Sequence, residues 1–202
     1  MTCAFTIFTV LLHTGLGVLQ PRAAAAAPGA LTLVYGRAKM LAVLVGFTAV
    51  SGAFVAGMQA GLAFNTFPLM EGQIIPEGYF SLTPAYRNFF ESIPSVQLHH
   101  RALALSTAGT VMAFWGSVQR LPLPPQVRLA TDALLLAVCL QVSLGVATVV
   151  NAVPVWLGSA HQAGALTLFS VVIFTLHSCR VPHAGRLVSR FAARHIPKPT
   201  CS

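Results

Sequence analysis

Acidic residues are scarce in this 202-residue chain: four stand against twelve lysines and arginines, giving a net charge of +8. Charge of both signs together reaches only 8% of residues, where soluble domains carry about 25%. With 55% hydrophobic residues and a mean hydropathy of +0.75, that shortage excludes an ordinary soluble domain and indicates a membrane protein. No basic stripe interleaves with aromatics, so the positive balance does not read as a nucleic-acid face; most of it borders apolar segments and reflects topology. A Cys-x-x-Cys pair is also missing. Cys3, Cys139, Cys179 and Cys201 are widely spaced, and no disulfide framework is expected. The opening, MTCAFTIFTVLLHTGLGVLQP, has neither a basic n-region nor a clear small-residue cleavage site, and no Arg-rich transit peptide is visible. It reads as a membrane helix entered partway.

What is abundant is long apolar sequence. At roughly 20 residues per bilayer crossing, five stretches qualify: about 3–19, 40–64, 101–119, 129–151 and 161–179. The expected fold is all-α, a polytopic membrane bundle of about five transmembrane helices. Its expected divisions are a partial helix (1–19), an inner-side linker (20–39), a four-helix membrane domain (40–180) and a basic tail (181–202). If the helices alternate, Arg22, Arg37, Lys39, Arg120, Arg128, Arg180, Arg186, Arg190, Arg194 and Lys198 share one side, which the positive-inside rule makes cytoplasmic or matrix. The opposite side carries the uncharged turn NAVPVWLGS and the long loop 65–98, with Arg87, Glu71, Glu77, Glu91, four phenylalanines and two tyrosines. Such a loop either folds over the bundle or forms an interfacial aromatic belt without chemistry.

Segments 101–119 and 161–179 run in the same direction and each begins at a histidine, in HHRALAL and AHQAGALTL, with His100 and His161 separated by 61 residues. Two helix pairs, 40–119 and 129–179, therefore set a histidine at similar depth on each second member. A lone histidine at a helix start is ordinarily interfacial. A matched pair on parallel helices is what a bis-imidazole haem requires, and polar groups inside a membrane tend to mark function. His99 and His100 lie about 100° apart on a helix, so only one faces the bundle. Arg101 either anchors a haem propionate or snorkels to phospholipid.

Other polar residues read more plainly. His13 has no partner at matching depth, and His177, His183 and His195 read as interfacial or solvated. Asp132 reads as a group near a helix N-terminus. Gln141 and Asn151 are expected to bond a neighbouring helix or support a site, and SGAFVAG, from Ser51 to Gly57, offers glycines for close approach of a helix or a flat porphyrin.

The strings SGAFVAGMQAGLAFNTFPLMEGQIIP, RNFFESIPSVQLHHR and LQVSLGVATVVNAVPVWLGSAHQAGAL together resemble the C-terminal half of the haem A synthase family, over about residues 40–180. The resemblance implies an eight-helix protein of two similar four-helix halves that oxidises the C8 methyl of haem O to the formyl of haem A, for cytochrome c oxidase assembly. In this half it implies a b-type haem with axial ligands His100, directly before Arg101, and His161, while His99 is not a third ligand. It also implies oxygen drawn from water and electrons leaving through the haem to an unidentified acceptor. TIFTVLLHTGLGVL resembles the tail of a fourth helix, so the family's N-terminal half, with its own histidine pair and glutamate, has no counterpart here and no catalytic residue is assigned. A second polypeptide supplying that half, or haem O synthase, is the expected partner, with haem O as substrate. The expected location is the mitochondrial inner membrane, or else a bacterial plasma membrane. A bis-histidine cytochrome confined to electron transfer is the competing reading, and a transporter fragment or structural membrane protein the third.

Overall fold

A computed structural model describes residues 2–19 and 28–180. Five helices follow in order: α1 (Thr2–Leu19), α2 (Pro28–Gly57), α3 (Ile93–Val118), α4 (Pro125–Val150) and α5 (Val155–Ser178). Among the described residues the only β-pairing is an isolated bridge between Met70 and Gln73. Prolines mark the starts: Pro28 and Pro125 open their helices, Pro94 is second in α3, and Pro154 precedes α5. A first-turn N–H has no intrahelical acceptor, so proline loses nothing there. At 1.5 Å per residue, the 26 residues of α3 or α4 reach about 39 Å, enough for a bilayer.

α2, α4 and α5 are long and apolar enough to cross a membrane by composition alone. They are apolar nearly all round because lipid is the solvent: Met40, Phe47, Leu129 and Leu136 all point outward and are exposed. α3 is as long as α4 but carries His99, His100 and Arg101 near one end. Helices α2, α3, α4 and α5 close a four-helix ring, each touching the next, and α1 lies outside it against α5. The chain is thus a polytopic membrane helix bundle.

The helix bounds differ from the expected spans. α2 starts at Pro28, so residues 28–39 are helical; Arg37 and Lys39 extend their cations along the helix instead of breaking it. Arg37 donates to the Ser117 hydroxyl of α3 at 2.6 Å, and the Lys39 ammonium lies 5.1 Å from the Tyr35 ring. α2 stops at Gly57, short of 64, where the chain turns through left-handed Gln59 (φ 53°). α3 begins at Ile93, eight residues before its expected start, which sets the histidines about two turns inside it. The remainder of the linker, 20–27, and the tail 181–202, with His183, His195 and their neighbouring arginines, lie outside the described residues.

The buried core occupies the end of the ring away from the long loop, and it is repeated. Val34, Leu41 and Val45 of α2 match Val127, Leu134 and Val138 of α4, each pair 93 positions apart; Val111 and Val118 of α3 match Val172 of α5 and Cys179 just past its end, each pair 61 apart. Polar ties finish this end. The Trp115 indole N–H donates to Asp132 at 2.8 Å, so Asp132 pairs with α3 rather than serving the start of its own helix. His13 does have a neighbour: α1 leans on α5, and its ring meets His177 edge-on at 6.3 Å.

At the other end, residues 58–92 fold over the ring through two 3-10 turns, Ala60–Leu62 and Ala85–Phe89. Fully buried Asn88 staples the loop, donating to the carbonyls of Leu82 and Ala85 and accepting from the Leu82 N–H. Aromatic rings pack with it, Phe80 edge-on to Phe89 and Phe54 beside Phe90.

Candidate functional site

A cavity of about 480 Å³ opens inside the ring between the core and the loop, and both His100 and His161 line it. Its walls repeat in register. All seven lining residues of α2, from Val45 and Thr48 through Gly52 to Ala56, have lining counterparts on α4 exactly 93 positions on, from Val138 and Gln141 through Gly145 to Val149. On α3 and α5, His100, Arg101, Ala104 and Thr107 correspond at 61 positions to His161, Gln162, Ala165 and Leu168. The cavity is therefore pseudo-two-fold, with one histidine from each half.

Each imidazole rests on a glycine of the preceding helix. A Cβ built on Gly52 would stand 3.0 Å from Cε1 of His100, and one on Gly145 would stand 2.9 Å from Cε1 of His161. Any side chain at either glycine would displace the ring. Gly57, the other glycine of SGAFVAG, has nothing near it and plays no such part.

The supports behind the rings differ. His100 Nδ1 lies 2.8 Å from the Ser51 hydroxyl, whose own proton is donated to the Thr48 carbonyl at 2.7 Å. The hydroxyl therefore accepts from Nδ1–H, which leaves the lone pair on Nε2, the atom free to bind a metal. His161 Nδ1 is buried and, among the described residues, has no side-chain partner. Gln141, the counterpart of Thr48, donates instead to the His161 backbone carbonyl at 3.0 Å, tying α4 to α5 as the polar reading of that helix expected; its Oε1 is buried and unpartnered against Gly164. Asn151 bonds only within its own helix, to the Ala147 carbonyl.

Arg101 lines the cavity too, but its guanidinium is engaged with the loop. One terminal nitrogen donates to the carbonyls of Thr66 (2.8 Å) and Leu69 (3.4 Å), the other to Phe64 (2.9 Å). Buried Gln97, one turn earlier, donates to the same Phe64 carbonyl at 3.0 Å. Neither sequence reading of Arg101 contained this hold, because its acceptors are backbone atoms. His99 turns to the loop, as the 100° helical step requires: it stacks on Phe89 at 5.2 Å and lies 3.3 Å from the Tyr79 hydroxyl. Ser51, Gly145 and Gln97 were not singled out from sequence; the 93-residue offset that relates Gly145 to Gly52 becomes visible once the helices are aligned in the structure.

The residues fit a flat, largely apolar tetrapyrrole. The cavity lies within the range of small-molecule sites, about 300–1,000 Å³, its walls are mostly aliphatic, and its two imidazoles are the donor type of haem iron.

The family model described as COX15-CtaA, cytochrome oxidase assembly protein, matches residues 1–173. An Arabidopsis thaliana protein named heme A synthase COX15 is 42% identical over 195 residues, covering 94% of this chain and 42% of its own length. A Nitrosospira multiformis protein named heme A synthase is 41% identical over 88% of this chain and 50% of its own length. The human heme A synthase COX15 is 35% identical over 88% of this chain and 43% of its own length. The chain thus spans about half the length of the curated relatives it matches. No solved structure matches it.

Proposed function

The chain belongs to the COX15-CtaA family of cytochrome oxidase assembly proteins, and from that premise we propose that it is the haem-binding half of a haem A synthase. The observation that carries the reading is the pair of imidazoles, His100 and His161, seated on Gly52 and Gly145 across one cavity. His100 and His161 would hold the iron of a b-type haem. When bound, that haem supplies one-electron transfer. The substrate reaction is methyl oxidation on haem O: R–CH3 and water give R–CHO with four protons and four electrons, the electrons passing to an acceptor outside this chain.

The chain's own residues supply placement and exclusion. The glycines set the two rings, Ser51 fixes one tautomer, and the aliphatic walls and the Arg101-held loop surround the cavity with apolar side chains. None of the four acids lines the cavity, so no carboxylate of this chain is assigned to the substrate's protons. The mitochondrial inner membrane, or a bacterial plasma membrane, is the proposed location, since relatives occur in plants, animals and bacteria.

The test has two stages. The full chain, purified in detergent and supplied with hemin, is expected to give the optical spectrum of a low-spin bis-histidine haem. Co-expressed with the N-terminal half of a relative, it is expected to convert haem O to haem A. A low-spin spectrum without conversion would leave a bis-histidine electron carrier; no spectrum at all would remove the haem reading.

A further inference from the structure

We propose that Ser51 is a positioning residue that makes the two candidate haem-ligating histidines electronically unequal, strengthening His100 as a ligand through a hydroxyl that has no counterpart beside His161. The inference rests on the haem reading above.

The repeat makes the inequality visible. Glycine cradle and histidine recur at matching positions in both halves, but the residue before the glycine is Ser51 in the first and Leu144 in the second, again 93 positions apart. Ser51 Oγ lies 2.8 Å from His100 Nδ1 and spends its proton on the Thr48 carbonyl, so it acts on the ring as an acceptor. The Leu144 side chain can accept nothing, and among the described residues His161 Nδ1 has no side-chain partner. A ring whose Nδ1–H is hydrogen-bonded is held in one tautomer and one orientation, and it donates more strongly from Nε2. Stronger donation favours ferric over ferrous iron and so lowers the midpoint potential.

The full chain loaded with hemin in detergent is titrated potentiometrically while its optical spectrum is followed. Ser51→Ala is expected to keep the low-spin spectrum and shift the midpoint potential upward. Ser51→Thr, which restores a hydroxyl, is expected to stay close to the wild type. Leu144→Ser places a hydroxyl at the matching position beside His161 and is expected to shift the potential downward. A merely structural role for Ser51 would move haem affinity and leave the potential in place. An unchanged potential in Ser51→Ala with the spectrum intact overturns the proposal. If Ser51→Ala loses the haem, Leu144→Ser decides: a downward shift supports the inequality, and no shift overturns it. A wild-type chain that gives no low-spin spectrum sinks the haem reading itself, a result distinct from a well-formed haem whose potential ignores Ser51.

Discussion

The α2–α3 pair and the α4–α5 pair present the same face to the cavity, residue for residue, yet they are finished differently. In the first pair the histidine has a hydroxyl behind it, and the link between helices is the long loop 58–92, fastened by Arg101 and Gln97. In the second pair the link is a short turn, no hydroxyl among the described residues stands behind the histidine ring, and Gln162 stands where Arg101 does. The shared face shapes the cavity and sets the two rings at matching positions in it. The departures from it decide how firmly each imidazole is held and which end of the cavity is covered.

Four measurements sharpen or break that comparison. The largest effect is expected at the ligands: His100→Ala or His161→Ala should each abolish the low-spin bis-histidine spectrum of the hemin-loaded chain, while His99→Ala, whose ring faces the loop, should leave it largely unchanged. If His99→Ala alone removes the spectrum, the wrong ring has been placed in the cavity. Next come the cradles. Gly52→Ala and Gly145→Ala each force a methyl against an imidazole, an overpacking of about 1–3 kcal/mol, which is roughly a 5- to 150-fold loss of hemin affinity in a titration. Comparable losses in the two variants would support the pseudo-two-fold site; a loss in only one would break it.

The third measurement addresses the half-specific loop. Removing Arg101 by Arg101→Ala deletes charge-assisted bonds worth about 1.5 kcal/mol or more, so amide exchange across residues 64–69 should quicken about tenfold or more. Arg101→Lys should behave similarly, because a single ammonium cannot span three carbonyls. The turn between α4 and α5 should be unaffected in both. The smallest effect is expected at Trp115→Phe, which removes the indole N–H donated to Asp132 between the two pairs at the end remote from the site. A thermal melt in detergent should show a loss of about 1 kcal/mol, with no change in the hemin spectrum.

Much of this was legible in the sequence for a simple reason: lipid imposes a strong rule. A segment in the bilayer must satisfy its own backbone, so long apolar runs become helices, and five such runs were visible. The histidine pair was legible because two rare polar residues recurred at 61 positions in parallel segments. The bounds of α2 and α3 were less legible, since cations and histidines read as membrane edges even when the helix continues through them, as at Arg37, Lys39 and His99. The 93-residue repeat was present throughout, but valine, leucine and glycine are too common in membrane helices for their spacing to be noticed without a structure.

The sequence by itself determined a helical membrane protein with two histidines at matched depth, because hydropathy and chain direction depend only on residue order. Which helix each ring leans on, which hydroxyl reaches Nδ1, that Arg101 grips backbone carbonyls, and that Asp132 pairs with Trp115 were decided by tertiary structure. Each of those contacts joins residues 16 or more positions apart, and each depends on how helices rotate and pack, which no single helix specifies alone.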